Sequence, residues 1–285
     1  MLIVSKEQVY IKTSDVSRNI INQIKRELTF DNPKYLEAEK FGYQTRGIDE
    51  KIDLYNFKQI HSNIYLCMPR GYGKRLMEVL KRGGLENRRD YNFRDVRVEL
   101  DEVDFGSKIK LRDYQAPAVE ALVKRGQGGV VAGCGSGKTQ ILLEAMARLK
   151  QPALWMCHTY DLLVQTKERA AAFLDLQEDE IGTIADGKIE LGDKLTIGLV
   201  QTLSKRDLSE IADKFGTVLI DEAHHIPANS FFNVINKLPA KYRLWASATP
   251  RRGDGLTEMI YLGGGEITYT IGREELPTVT PSVYA

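Results

Sequence analysis

Cysteine is scarce in this 285-residue sequence, and long apolar runs are missing. The three cysteines, Cys67, Cys134 and Cys157, have the spacing of neither a disulfide framework nor a zinc site, so we expect a reducing, cytoplasmic location. No stretch approaches the roughly 20 apolar residues that span a bilayer, and the N-terminal residues lack the pattern of a signal peptide. These absences exclude a disulfide-stapled secreted domain and predict a protein without a membrane partner.

A marked excess of charge is also missing. The 40 Lys+Arg and 39 Asp+Glu residues give a formal net charge of +1, which argues against a strongly basic protein that binds polyanions. The charge is unevenly distributed, because residues 1–100 contain 19 basic and 14 acidic residues, whereas residues 101–285 contain 21 and 25. Residues 68–97 alone contain nine basic and four acidic residues, which makes them the candidate for contact with a polyanion.

Short apolar runs alternate with helical patterns from about residue 111 onward. The runs predict strands at 130–132, 153–157, 195–200, 217–220 and 242–246. Apolar spacing predicts helices over 139–149, 161–174 and 208–212. Such alternation is typical of a mainly parallel sheet with helices on both faces. We therefore expect an α/β protein whose main domain covers residues 106–272.

The first 105 residues have a different pattern. Apolar runs at 9–11 and 64–68 predict strands, and helices are expected over 14–28, with Ser14 as its cap, and over 74–81. The segment 30–50 is rich in turn-forming and charged residues. Residues 1–105 are therefore predicted to form a small α+β accessory domain.

A glycine-rich segment joins the first strand of the main domain to the next helix. It reads Ala132-Gly133-Cys134-Gly135-Ser136-Gly137-Lys138-Thr139, and this strand-to-helix position is the context of a phosphate loop. Glycines let backbone N–H groups converge on phosphate oxygens at the positive end of a helix. Lys138 can reach the β- and γ-phosphates, and the Thr139 hydroxyl can ligate Mg²⁺. The residues from Gly133 to Thr139 are thus predicted to bind ATP, although Ala132 replaces the usual first glycine.

Two carboxylates directly follow another apolar strand. The segment Asp221-Glu222-Ala223-His224 should therefore lie at the same edge of the sheet as the phosphate loop. Asp221 is predicted to hold Mg²⁺ together with Thr139, and Glu222 to orient and deprotonate the attacking water. With Lys138 and Thr139, these two acids form the predicted catalytic group.

Two shorter patterns gain meaning from their positions. Gln115 lies shortly before the phosphate loop, and its side-chain amide can both donate to and accept from an adenine edge, while Arg112 can stack on the base. The segment Ser247-Ala248-Thr249-Pro250 follows the last predicted strand. Its hydroxyls on Ser247 and Thr249, together with His224, are candidates for coupling the nucleotide site to a neighbouring surface.

In this order, the four patterns resemble the first RecA-like domain of superfamily 2 helicases and translocases. Gln115 resembles the Q motif, and residues 132–139 resemble motif I. Residues 156–165 and 200–203 resemble motifs Ia and Ib, and residues 221–224 and 247–250 resemble motifs II and III. The continuation of motif III through Arg251-Arg252-Gly253-Asp254-Gly255 is most similar to the XPB/UvsW group. The resemblance covers about residues 108–275. It implies a P-loop NTPase that uses ATP and Mg²⁺ to move on DNA, with strand phosphates contacted by His158, Thr159, Gln201 and Thr202.

The resemblance also implies a second RecA-like domain that supplies an arginine finger. Nothing after Asp254 resembles such a domain, and residues 273–285 resemble the start of a linker to it. Loss of an arginine finger costs on the order of 10³–10⁵ in rate. We therefore expect the 285-residue chain to bind ATP but to hydrolyse it poorly.

The basic segment completes the set of candidate nucleic-acid contacts. Its cations are interleaved with Tyr72, Tyr91 and Phe93, which suits a surface that tracks a backbone and stacks on bases. The predicted contacts are Arg70, Lys74, Arg75, Arg88 and Arg89. A solvated, salt-bridged face is the alternative, and it describes most charge runs. Duplex, single-stranded or branched DNA is the expected partner, and RNA stays open because such contacts read phosphates and sugars.

Two further functions stay open at this stage. The motor of a restriction-enzyme subunit shares these motifs, but it would need a nuclease signature that is not evident in the sequence. A non-catalytic nucleic-acid-binding module could use ATP as a conformational switch. The sequence does not specify the polarity of movement, the pathway or the oligomeric state.

Overall fold

The computed structural model describes residues 1–85, 90–225, 228–249 and 256–275. The expected DNA contacts of Arg88 and Arg89, the continuation of motif III over 250–255 and most of the predicted linker lie outside these residues. Within these ranges no helix is both long enough and apolar enough to cross a membrane.

The N-terminal unit contains a five-stranded sheet in the order β5-β6-β2-β1-β7. Its strands are β1 (Leu2–Ser5), β2 (Val9–Lys12), β5 (Asn56–Ile60), β6 (Asn63–Met68) and β7 (Asn92–Asp95). The unit also contains helices α1 (Arg18–Glu27), α2 (Pro33–Lys40) and α3 (Gly73–Arg82), and a small pair of strands, β3 (Thr29–Asp31) and β4 (Lys51–Asp53). Neighbouring strands are antiparallel except β1 and β7. The predicted α+β character is therefore confirmed.

Two details of this unit differ from the sequence prediction. Helix α1 is capped by Ser17, whose hydroxyl accepts from the Ile20 amide, whereas Ser14 lies in a preceding 3-10 turn. Helix α2 was not predicted within the turn-rich segment 30–50. Its start is nevertheless marked in the sequence, because Asn32 caps it and Pro33 occupies its first turn.

The second unit is built on an eight-stranded sheet in the order β11-β10-β12-β9-β13-β14-β8-β15. Its strands are β8 (Gln127–Val131), β9 (Ala153–Cys157), β10 (Ile181–Ala185), β11 (Lys188–Glu190), β12 (Leu195–Leu199), β13 (Thr217–Ile220), β14 (Tyr242–Ser247) and β15 (Ile267–Thr270). Its helices are α4 (Ala116–Arg125), α5 (Lys138–Leu149), α6 (Tyr160–Leu174), α7 (Val200–Ser204), α8 (Ala228–Ile235) and α9 (Thr257–Gly264). All neighbouring pairs are parallel except β10 and β11. The predicted α/β class with a mainly parallel sheet is confirmed.

One helix of this unit was assigned to the wrong place. The apolar residues of 208–212 predict a short helix, but the structure has turns there, followed by a 3-10 turn at Ala212–Lys214. The helix lies earlier, at α7, directly after β12. Leu208 is buried in the core. The apolar pattern therefore indicated burial correctly, but it did not indicate the local conformation.

The two units share a continuous apolar core. One cluster of buried side chains joins Ile11, Ile24 and Leu80 of the first unit to Trp245 and Leu262 of the second. At the contact, Gly71 lies so close to α9 that a Cβ atom there would be 2.0 Å from the Tyr261 carbonyl oxygen. Only glycine allows the two backbones to approach in this way.

Arg70 belongs to this contact, and its predicted role in DNA binding is corrected. Its side chain is only 6% exposed. The guanidinium donates to the carbonyl oxygens of Ala240 and Lys241 and to Gln127 Oε1. A charge run in the sequence does not distinguish a solvated cation from one that is buried and bonded. Here the cation fastens the N-terminal unit to the ends of β8 and β14.

Arg243 on β14 is a second buried cation of the contact. It donates to the carbonyl oxygens of Gly263 at the end of α9, of Ile235 and Leu238 at and just after the end of α8, and of Glu7 in the N-terminal unit. Carbonyl groups at helix C-termini carry partial negative charge, which stabilises the cation without a carboxylate. Burial lowers the pKa of Arg243 to about 9, so the guanidinium stays charged at neutral pH.

Candidate active site

The candidate site lies at the carboxyl end of the central parallel strands. The loop after β8 leads into α5, and the loops after β13 and β14 end beside it, because β14 lies between β8 and β13 in the sheet. Residues far apart in the sequence therefore meet at one edge. This arrangement is where α/β sheets usually bind their ligands.

The phosphate loop adopts its shape through two glycines with positive φ. Gly135 has φ +77° and Gly137 has φ +80°, and a Cβ atom on Gly135 would meet nothing within 4 Å. Gly135 thus faces an open cradle, whereas Gly137 is tightly packed, with its virtual Cβ 2.3 Å from Gln115 Nε2. Helix α5 begins at Lys138, so its free N–H groups point into the cradle.

The four predicted catalytic side chains meet as two pairs. Lys138 is 7% exposed, and its Nζ lies 3.2 Å from Glu222 Oε1. Thr139 donates its hydroxyl hydrogen to Asp221 Oδ2 over 3.0 Å. The phosphate loop and the acidic segment, 82 residues apart at this contact, are therefore joined side chain to side chain.

Asp221 is held in an environment that disfavours its negative charge. Burial raises the pKa of its carboxyl above the ordinary value, although the hydrogen bond from Thr139 acts in the opposite direction. A divalent cation bound next to the carboxylate would reverse the effect of burial, because its charge stabilises the ionised form. Asp221 and Thr139 supply the hard oxygen ligands that Mg²⁺ prefers.

Glu222 has a strained backbone conformation and a side-chain oxygen without a hydrogen-bond partner in the described part of the chain. Its φ is +47°, an unusual conformation for a residue with a side chain, and such strain is concentrated at functional sites. Its Oε2 is buried without a hydrogen-bond partner among the described residues, and so is the hydroxyl of Ser136 in the phosphate loop. Unused polar atoms around an open glycine cradle fit a polar ligand, and a Mg²⁺–nucleotide would use them.

Gln115 is buried completely and supports the phosphate loop. Its Nε2 donates to the Ser136 carbonyl over 2.8 Å, while its Oε1 accepts from the Arg112 amide over 2.9 Å. The Arg112 side chain is exposed and donates to the Tyr114 hydroxyl. The side-chain amide thus bridges two loops of the site, and its contact with an adenine edge stays a prediction.

The predicted coupling residues are in direct contact. His224 Nδ1 lies 2.7 Å from Ser247 Oγ, and that hydroxyl donates to the Thr249 carbonyl. Since the hydroxyl has a single hydrogen, both contacts are satisfied when Nδ1 carries a proton and donates. His224 Nδ1 is also 3.5 Å from Glu222 Oε2. A continuous path therefore joins the acid of the site to the loop after β14.

Two residues of α6 complete the wall of the pocket and were not predicted. The pocket encloses about 420 Å³ and is lined by the phosphate loop, the first turn of α5, Glu222, Arg169 and Phe173. Arg169 Nη1 donates to Thr139 Oγ1 over 3.2 Å. The i,i+4 spacing of Arg169 and Phe173 places them on one face of α6, but only the fold brings that face to the site.

The residues of motifs Ia and Ib that are candidates for contact with a DNA strand also lie together. Thr159 caps α6, and Gln201 at the start of α7 donates its side-chain amide to the His158 carbonyl over 2.9 Å. This contact follows from the pairing of β9 with β12, whose carboxyl ends are adjacent. Gln201 and Thr202 border an open groove of about 800 Å³ that includes Lys205 and Arg206.

The remaining basic candidates are distributed over different surroundings. Lys74 and Arg75 are exposed at the start of α3, and Arg75 forms an ion pair with Glu258 of α9. Tyr72 is fully buried and donates to Glu27, so it does not belong to a stacking surface. Phe93 is 60% exposed. The segment is therefore not one continuous basic face, and part of it is interface.

Comparisons with known proteins give a consistent result. Residues 108–252 match the family model described as Type III restriction enzyme, res subunit. The chain is 33% identical over 201 residues to the DNA 3'-5' translocase XPB2 of Sulfurisphaera tokodaii, covering 65% of this chain and 45% of that protein. It is 32% identical over 153 residues to the DNA 3'-5' helicase XPB of Mycobacterium tuberculosis, covering 51% and 27%. The chain thus spans less than half the length of these curated relatives.

The structural similarity extends over both units. The crystal structure of the UvsW helicase from bacteriophage T4 superimposes with a TM-score of 0.67 at 18% sequence identity, covering 94% of this chain and 100% of that chain. A second structure of T4 UvsW gives a TM-score of 0.68 and is covered to 57%. At this identity the likeness concerns the fold, including the N-terminal unit.

Proposed function

Because the chain belongs to the family described as Type III restriction enzyme, res subunit, and is a superfamily 2 helicase chain of the XPB/UvsW type, we propose that it couples ATP hydrolysis to movement on or remodelling of DNA. The observation that carries this proposal is the pairing of Lys138 with Glu222 and of Thr139 with Asp221 around an open glycine cradle. Two of the relatives are named as a DNA translocase and a DNA helicase. Residues 1–105 would form the accessory domain, 106–272 the motor domain, and 273–285 the start of a linker.

The residues of the site divide the chemistry among them. Lys138 and the N–H groups of α5 would bind the phosphates, and Thr139 and Asp221 would hold Mg²⁺. When bound, Mg²⁺ supplies charge that stabilises the transferred phosphoryl group. Glu222, which has a strained backbone and an oxygen that makes no hydrogen bond among the described residues, would orient the water and accept its proton. Its contact with Lys138 would be exchanged for contacts to phosphate and water.

DNA would be bound on the surface formed by the ends of β9 and β12. Thr159, Gln201 and the exposed Lys205 offer hydroxyl, amide and ammonium donors on one side of a groove. Phosphate contacts of this kind give affinity without base specificity, so they do not by themselves distinguish DNA from RNA. Lys74 stays a candidate from the N-terminal unit, whereas Arg70 is excluded by its burial.

The proposal is tested with nucleotide binding and turnover of the chain itself. A fluorescent ATP analogue should bind in the presence of Mg²⁺, and Lys138→Ala should abolish this binding. Steady-state hydrolysis with saturating DNA should stay slow, since an arginine finger from a second domain contributes on the order of 10³–10⁵ in rate. Failure of the unmodified chain to bind any nucleotide would refute the proposal, and turnover of several per second would refute its slow-hydrolysis part.

A further inference from the structure

Arg169 is the cation of the pocket that the proposed chemistry does not use. It belongs to α6, whose buried stripe of Leu163, Thr166, Ala170 and Leu174 fixes the helix against the sheet. Arg169 lies off that stripe, and its side chain extends across the pocket to the first turn of α5. Among the described residues no carboxylate forms an ion pair with it at 4.0 Å or less.

The contact of Arg169 with Thr139 has a consequence for Mg²⁺. The Thr139 hydroxyl gives its single hydrogen to Asp221, so its oxygen accepts from Arg169. A metal ion would need the same oxygen as a ligand. The oxygen has two lone pairs, but a metal ion and a guanidinium bound to it together would lie only a few ångströms apart, where their positive charges repel each other. Occupation of the metal site must therefore displace the guanidinium from Thr139.

The displaced guanidinium would still lie in the pocket. The helix is fixed by its buried stripe, whereas the long Arg169 side chain is exposed and can rotate. The anion that enters together with Mg²⁺ is the phosphate chain, and guanidinium groups bind phosphate oxygens with short, charge-assisted hydrogen bonds.

On the basis of the proposed function, we propose that Arg169 is a phosphate-binding residue of the nucleotide site that exchanges partners with its occupancy. Its guanidinium donates to Thr139, and it would donate to a phosphate oxygen of ATP when Mg²⁺ binds Thr139. Arg169 thereby supplies a positive charge from within the motor domain itself. This contact acts on binding, so it differs from the transition-state role expected for a finger from a second domain.

The test is equilibrium binding of a fluorescent ATP analogue with Mg²⁺ to the 285-residue chain. Arg169→Ala should weaken binding about tenfold or more, which is the ordinary effect of one charge-assisted phosphate contact. Arg169→Lys should lose less, because the charge is retained. Lys167→Ala is the matched control, since it removes a cation from the same helix outside the lining of the pocket. It should leave the dissociation constant unchanged.

The outcomes separate this inference from the proposed function. Unchanged or tighter binding by Arg169→Ala, with Lys138→Ala inactive in the same assay, overturns the role of Arg169 and leaves the nucleotide site standing. Absence of binding by the unmodified chain overturns both. Thermal melting without nucleotide gives a second readout, because a merely structural Arg169 would lower the melting temperature of Arg169→Ala and leave its nucleotide affinity intact.

Discussion

Replacement of Arg70 by methionine tests whether this residue is a fastener between the two units or a DNA contact. The substitution removes three hydrogen bonds, leaves the carbonyl oxygen of Ala240 without its side-chain donor, and leaves that of Lys241 with only the longer bond from Arg97. Bonds from a charged donor contribute about 1.5–3 kcal/mol each, and they are not additive. A buried acceptor that loses its donor costs about 1–3 kcal/mol more, so the total is about 3–5 kcal/mol. We expect a loss of this size in the free energy of unfolding.

The measurement is urea denaturation followed by the fluorescence of the two tryptophans, both of which are fully buried in the second unit. For a chain of this length, the expected loss corresponds to a decrease in melting temperature on the order of 10 °C. Lys74→Met is the control, because Lys74 lies four residues later and is exposed. Its stability should stay within about 0.5 kcal/mol of that of the unmodified chain.

Measurement of DNA affinity at several salt concentrations tests the alternative, in which Arg70 contacts DNA. A phosphate contact, once removed, reduces the salt dependence of binding by about one unit and leaves stability unchanged. For Arg70→Met we expect the salt dependence to be retained under conditions where the variant is folded. A normal free energy of unfolding combined with a weaker salt dependence would refute the interface assignment.

Three further results are expected. Glu222→Gln should retain nucleotide binding but lower the rate of hydrolysis in a DNA-stimulated assay by about 10²-fold or more, and an unchanged rate would exclude Glu222 as the base. Gly137→Ala should weaken ATP binding severely in the same fluorescence titration, because its φ is +80° and an added Cβ would collide with a side chain that supports the loop. An alkylating reagent at pH 8 should label the exposed Cys134 selectively, since burial raises the pKa of Cys67 to about 11 and that of Cys157 to about 12, and Mg²⁺–ATP should slow this labelling, as measured by mass spectrometry.

The candidate nucleotide site could be located from the sequence because its residues are encoded locally. A phosphate loop needs consecutive residues between a strand and a helix, and Lys138 and Thr139 follow from its pattern. Asp221 and Glu222 directly follow β13, whose four residues are all buried and whose last three are apolar. The parallel sheet then fixes which edge the two segments share. Strand β9 was likewise predicted with its observed bounds.

The remaining features depend on contacts between segments that are distant in the sequence. Arg169 is one exposed residue of an amphipathic helix until the fold places α6 beside α5. Arg70 belongs to a run of cations, and only the packing of the N-terminal unit buries it. Gln115 was predicted to contact the adenine of a bound nucleotide. The structure adds that its side chain is completely buried because it supports the phosphate loop. Short-range patterns carry no information about such partners.

The shared apolar core has a consequence for how this chain folds. Since buried side chains from both sheets form one cluster, neither sheet can lose its packing without exposing apolar surface of the other. Unfolding should therefore be a single cooperative transition, although the chain contains two sheets and would be counted as two domains by topology. Division of the gene at residue 105 would leave each fragment with an uncovered apolar face, and such faces promote aggregation. The N-terminal unit is in this sense part of one cooperative folding unit with the second unit rather than an attachment to it.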